Sequence, residues 1–228
     1  QAMSTSSVRN WQVIWVPQYS SATVSGTVSA DRWTVNTGTG EATGGVVAMD
    51  VAGELAVNGT ITAAGAGFRG AYSLNGSGNL AGGTATTANS TFNPAAVYGA
   101  QKGEGIAGTP PRVFDGTATP VNYTALLGQG YALGAGGQAS IGNEGGGGND
   151  GNPTSGNNQF NSGGGGGGNA GAGGRGGNSW NSNGTTAPLN NPAGVNGGNP
   201  AGGLGGNAQT NGATRLVLGG GGGAGTAN

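Results

Sequence analysis

The chain has 228 residues, 57 of them Gly and 9 Pro, with 7% charged residues, 33% hydrophobic residues and a formal net charge of −1. It contains no His and no Cys, which excludes imidazole bases, thiolate nucleophiles and zinc or iron–sulfur ligation. Its seven Lys and Arg residues are scattered, leaving no basic patch for nucleic acid, and no apolar run approaches the length of a membrane span.

Ordering so much glycine costs a large conformational entropy, so a folded form requires dense backbone-to-backbone hydrogen bonding. A chain poor in Lys and rich in Asn, Thr, Ser and Gly has the composition of a secreted protein. No signal-peptide pattern opens it, and Gln1 reads as a mature N-terminus or the edge of a fragment.

Residues 1–98 read as a β-rich N-terminal part. Trp11, Val13 and Trp15 alternate with Gln12, Ile14 and Val16, which predicts a strand buried on both faces and stopped by Pro17. Residues 23–30 (TVSGTVSA) and 56–63 (AVNGTITA) share a pattern at an offset of 33 residues, an internal repeat of strand, glycine bend and strand. Asn58-Gly59 is a type I′ hairpin signal, and the same bend also suits the corner of a β-solenoid. Residues 33–36 and 45–51 (GVVAMDV) are further predicted strands, and 65–70 (GAGFRG) marks the exit from them. Residues 75–93 read as a surface loop, with Phe68, Tyr72, Phe92 and Tyr98 as anchors.

Residues 99–112 (GAQKGEGIAGTPPR) concentrate charge, glycine and proline; Lys102 and Glu104 are expected to pair across a turn, with a ligand clasp as the rarer reading. Val113, Phe114, Val121, Tyr123, Leu126 and Leu127 supply apolar anchors.

The glycine-rich part, 99–228, holds 43 of the 57 glycines. Within 161–177 (NSGGGGGGNAGAGGRGG), Gly165, Gly168, Gly171, Gly174 and Gly177 form one column of a period of three. Gly164, Gly167, Gly173 and Gly176, interrupted by Ala170, form a second, and Gly163, Gly166, Asn169, Ala172 and Arg175 a third. Three residues per turn is the period of a polyproline II helix, which has no hydrogen bonds of its own. Two columns without side chains let neighbouring helices abut. Similar triplets recur in 133–148, 194–206 and 219–225, so the prediction is a polyglycine II bundle with Asn/Pro/Ser loops and almost no α-helix. Trp180, Val195, Leu204 and residues 216–218 are expected to seal its faces.

Nothing in the spacing of the eight carboxylates marks a catalytic pair, so no enzymatic activity is expected. Glu144 and Asp150, the latter in Asn149-Asp150-Gly151-Asn152, are the candidate calcium ligands, although an Asx-turn is the preferred reading there and no cofactor is otherwise expected. The irregular, charged third column argues against ice binding. Glycan or receptor binding would use aromatic platforms such as Trp180, Phe160 or Tyr131, each of which also suits a packing role.

Two resemblances arise from these stretches. The ordered succession VPQYSSATVSG, GGVVAMDVAGELAVNGTITAAGAGFRG, KGEGIAGTP, GGGGNDGNP, NSGGGGGGNAGAGGRGGNSW and RLVLGGGGGAG, spanning about residues 16–225, resembles a glycine-rich module of very large secreted or surface proteins of bacteria such as myxobacteria and Bacteroidetes. It departs from that pattern mostly in loops, including 75–93. The resemblance implies a module of a longer surface protein with no known enzymatic role. In architecture alone, the triplet runs resemble the polyglycine II bundles of springtail antifreeze proteins, the receptor-binding tips of some phage long tail fibres and the glycine-rich domain of the anaplastic lymphoma kinase receptor. Those three functions differ, so the architecture does not select among them.

The expectation is therefore a mainly β and irregular chain whose N-terminal β layer, a hairpin sheet or short β-solenoid, packs with the polyglycine II bundle as one unit. Its expected role is an extracellular structural or adhesive module of a bacterial surface protein or fibre, with neighbouring domains or copies of itself as partners. A glycan- or receptor-recognition module is the alternative, and a self-assembling filament subunit with a strand edge near 8–16 a further one.

Overall fold

The computed structural model describes residues 12–35, 42–72, 100–110, 112–114, 121–122, 131, 136–148, 161–178, 202–212 and 215–226. These contain no helix and ten short strands, so the fold is mainly β and irregular. The chain divides into two compact units, one over Trp11–Gly67 and one whose described residues run from Phe68 to Thr226.

The first unit is built on the 33-residue repeat. Strands β1 (Gln18–Tyr19), β2 (Ala22–Val24) and β3 (Thr27–Ser29) pair in parallel with β6 (Asp50–Val51), β7 (Leu55–Val57) and β8 (Thr60–Thr62). The register sets Ala22 against Leu55 and Thr27 against Thr60, so equivalent residues of the repeats stack on one another. The hairpin expected at Asn58-Gly59 does not form. Those residues turn a corner between β7 and β8, which pair with the first repeat and not with each other. Close approach dictates glycine there, because a Cβ on Gly59 would overlap the Gly26 carbonyl oxygen. The Asn58 N–H donates to Val24 O at 2.8 Å and the Thr60 N–H to Gly26 O at 2.9 Å, tying the corner to the coil beside it.

Between the coils, β4 (Thr34–Val35) pairs antiparallel with β5 (Ala42–Thr43). The core here is Val24, Trp33, Val35 and Ala66, with Trp33 only 2% exposed. Gly44 and Gly45 have φ of 112° and 81°, a left-handed backbone that a side chain would strain.

The strand expected to be buried on both faces before Pro17 is not formed: residues 12–17 join no ladder, and Val13 and Trp15 are 80% and 86% exposed. Gln12 instead reaches the later backbone: its amide accepts from the Gly44 N–H at 2.9 Å and donates to the Gly44 carbonyl. One side chain thus makes the contact a strand partner would, and Val13, Ile14, Trp15 and Val16 are all exposed. Trp11 lies outside the described residues.

In the second unit, β9 (Arg112–Val113) pairs antiparallel with β10 (Val121–Asn122). The other described residues of this unit lie mostly in extended glycine-rich stretches that exchange backbone hydrogen bonds sideways. Residues 142–148 are buried throughout and form the centre. The N–H groups of Gly145, Gly146, Gly147 and Gly148 donate to Gly221, Leu204, Gly137 and Ala224, while carbonyls of the same stretch accept from Ala100, Gly103, Gly165 and Gly168. The repeat is every third residue: Gly145 and Gly148 reach Gly221 and Ala224, Gly203 and Gly206 reach Gly163 and Gly166, and Gly220 and Gly223 reach Gly168 and Gly165. Backbones approach so closely that a Cβ at Gly145, Gly146, Gly147, Gly164, Gly167, Gly203 or Gly206 would overlap a neighbouring carbonyl.

The run 161–177 is not one straight element. Gly163 donates to Gly177, Gly166 to Gly174 and Asn169 to Gly171, so the chain folds back on itself around Ala170, the residue that interrupts the second glycine column. The column expected to lie inside divides at that bend. A Cβ on Gly165 or Gly168 would meet a neighbouring carbonyl oxygen, whereas Gly171, Gly174 and Gly177 face open space. Past the bend it is Gly173 and Gly176 that meet the neighbouring backbone.

Candidate functional site

The most concentrated chemistry among the described residues is a buried polar cluster in the second unit. Lys102, Glu104, Gln138, Asn143 and Glu144 are each 0% exposed, and Tyr131 is 2% exposed. Alternation along an extended stretch sends residues two apart to the same side in a flat strand, but three-residue turning sends them apart. Lys102 and Glu104 accordingly find different partners, and the ion pair expected between them is replaced by another. Glu104 accepts from Arg69, Nε to Oε2 at 2.8 Å and Nη2 to Oε1 at 2.9 Å, as well as from the Arg69 N–H and the Thr109 hydroxyl. A two-pronged guanidinium–carboxylate pair of this kind is among the stronger polar contacts a protein makes.

Lys102 instead donates from Nζ to the carbonyls of Gly136 and Gly137, the latter at 3.0 Å. Burial pushes its pKa down to about 8, against the attraction of Glu144, which favours the charged form. The Tyr131 hydroxyl donates to Gly103 O, and burial, followed by the charges of Glu144 and Glu104, holds its pKa well above the ordinary phenol value. Gln138 donates to Gly202 O at 2.8 Å and Asn143 to Leu218 O at 2.6 Å, while Asn143 Oδ1 accepts from the Ile106 N–H. Each of these side chains ties one glycine-rich stretch to another.

Of the calcium candidates, Glu144 spends Oε1 on the N–H groups of Ile141 and Gly142, at 2.7 and 3.0 Å, closing its own turn. Its Oε2 packs against Gly105 and Gly142 and has no hydrogen-bond partner among the described residues. Asp150 lies outside the described residues, and among these no three His, Cys, Asp or Glu side chains cluster as metal ligands. Of the aromatic candidates, Trp180 and Phe160 lie outside the described residues. Tyr131 presents no face to a ligand, since it is an interior donor.

Among the described residues the exposed aromatics are elsewhere: Trp15 at 86%, Phe114 at 48% and Tyr19 at 47%. Sequence reasoning passed over Trp15 because its apolar neighbours suggested burial. The signal that points outward is Gln12, a strongly polar residue on the face the strand would have buried. Phe114, expected as an apolar anchor, is half exposed, while its neighbour Val113 is fully buried. Among the described residues no helix is long and apolar enough to cross a membrane.

No family model, curated protein or solved structure matches the chain.

Proposed function

We propose that this chain is a non-enzymatic structural or adhesive module of an extracellular bacterial surface protein or fibre, with a short β-solenoid in its first unit and a polyglycine II bundle in its second. The observation that supports this reading is the buried stretch 142–148, whose peptide groups bond sideways to five other stretches with a three-residue repeat. A cross-section filled by backbone hydrogen bonds resists bending and shear and leaves the loops free to vary. The titratable groups at its centre are closed to solvent, which suits tying stretches together and not turnover. Calcium is kept as a secondary ligand.

A recognition module is the second reading, favoured by Trp15, which stands 86% exposed beside Val13 at 80%. Aromatic faces of this kind stack on sugar rings or seat in receptor pockets. Light scattering on the purified chain, combined with a glycan array and whole-cell binding, separates the two. The structural reading predicts self-association or an inert monomer without saturable ligand binding. Saturable binding that is lost in Trp15→Ala or Trp180→Ala would overturn it in favour of recognition.

A further inference from the structure

Parallel pairing uses one edge of each coil. Among the described residues the other edges, the outer side of β1 to β3 and the outer side of β6 to β8, have no ladder partner. In the first coil the Gly26 carbonyl and the Ala30 N–H face the second coil, bonding Thr60 N and Thr62 O. By alternation the peptide groups of Thr27 and Ser29 face the free edge.

The two corner glycines differ in a way the chain itself does not explain. Gly59 must be glycine because a Cβ would overlap the carbonyl oxygen of Gly26 in the coil beside it. Gly26 holds the same place in the first coil, yet a Cβ there meets nothing within 4 Å, and its φ is not among the positive ones. Neither space nor backbone conformation calls for glycine at 26. What would call for it is a further coil beside the free edge, presenting a carbonyl as Gly26 presents one to Gly59.

We propose that the outer edge of Ala22–Val24, Gly26 and Thr27–Ser29 binds a second copy of this chain, head to tail, through that copy's Leu55–Val57, Gly59 and Thr60–Thr62. The occupant is set by complementarity already present: β7 and β8 pair in register with β2 and β3 within one chain, and their own outer edge is unpaired among the described residues. The new contact continues that ladder, with Thr27 N–H donating to Gly59 O of the second copy. The contact is confined to this corner, because the other second-coil corner glycine, Gly53, would strike the Ser20 carbonyl, and Ser20 already carries a Cβ. A head-to-tail contact of this kind repeats without closing unless its rotation forms a ring, so its product is a filament. The proposal rests on the structural reading above only for the class of partner.

The chain has no Cys, so cysteines can be placed at will. Thr27 and Thr60 are both exposed and would face each other between copies at the ~4.8 Å spacing of paired strands, within disulfide reach. Single variants Thr27→Cys and Thr60→Cys, oxidised alone and after mixing, test the arrangement. The mixture is expected to give cross-linked dimers at least tenfold above either variant alone, and Gly26→Val in the Thr27→Cys chain to abolish them. Gly26→Ala, with its Cβ in open space, should melt as wild type and still weaken cross-linking if the larger substitution fails to fold. Absence of the mixed cross-link, cross-linking of Thr27→Cys with itself, or insensitivity to both Gly26 variants would overturn the proposal. Glycan binding lost in Trp15→Ala would overturn the structural reading without altering this result.

Discussion

The two units solve one problem, a shortage of apolar side chains, in opposite ways. In Trp11–Gly67 the coils stack equivalent residues in parallel ladders, and the interior is conventional, with Trp33, Val24, Val35 and Ala66 out of water. Among the described residues of the second unit the interior is largely peptide backbone, and many of the largest buried side chains are polar: Lys102, Glu104, Gln138, Asn143 and Glu144. The difference follows from glycine. Bare stretches packed at backbone distance leave few cavities for Leu or Phe but many carbonyl groups, each needing a donor. Lys102, Gln138, Asn143 and Tyr131 all donate to such carbonyls. A glycine-rich core thus uses polar side chains as stitches where an ordinary core uses apolar ones as filling.

The comparison breaks most visibly at the glycines. Gly146→Ala places a Cβ against the Gln138 carbonyl, which cannot retreat without separating two stretches, so a loss of about 4 kcal/mol or more is expected. In calorimetry this would read as a fall in Tm of about 10 °C. Gly174→Ala, in the same kind of run but facing open space, should stay within about 0.5 kcal/mol of wild type. Equal effects at the two positions would mean that glycine is there for chain freedom and not for close approach.

Next in size is the ion pair. Glu104→Gln leaves the Arg69 guanidinium, whose side chain is 10% exposed, without its counter-charge, and such losses cost about 3–5 kcal/mol. Denaturant unfolding of Glu104→Gln and of Thr109→Val would rank the two contacts, with the hydroxyl expected to matter less, at about 1 kcal/mol.

Smaller than the loss of the ion pair is a pH dependence. Lys102 titrates near 8 when folded and near 10.5 when unfolded, so between those values the unfolded chain holds more protons and stability rises with pH. A gain of about 1–2 kcal/mol from pH 8 to 9.5 is expected, since each pKa unit corresponds to about 1.4 kcal/mol. Tyr131, raised in the folded chain, acts in the other direction: its contribution is present below pH 10 and is lost above it. Thermal melting against pH should therefore rise and then fall, and Lys102→Met should lose the rise.

Parts of this were legible in the sequence, although composition placed the boundary after residue 98 and the structure divides the chain at Gly67. The 33-residue repeat suited a hairpin and a stacked coil alike, and triplet glycine columns pointed to backbone contact, because both are periodic and period is what geometry reads. What was not legible depends on distant partners. Asn58-Gly59 is a local hairpin signal overruled by the coil beside it, and Glu104 takes Arg69, 35 positions earlier, over its near neighbour Lys102. The reversal at Ala170 was visible only as an interruption of a column. The bond from the Gln12 amide to Gly44, 32 positions later, is likewise a distant partner, although the polar residue itself was visible in the run.

The central claim is that the second unit is held by lateral backbone hydrogen bonds centred on 142–148. Amide hydrogen exchange of the intact chain tests it most directly. The account predicts that the N–H groups of Gly145, Gly146, Gly147 and Gly148, which belong to no strand or helix, exchange as slowly as the slowest amides of the molecule, while Gly171, beside the Ala170 bend, exchanges fast. Exchange of the four central amides at the rate of an open chain would contradict it.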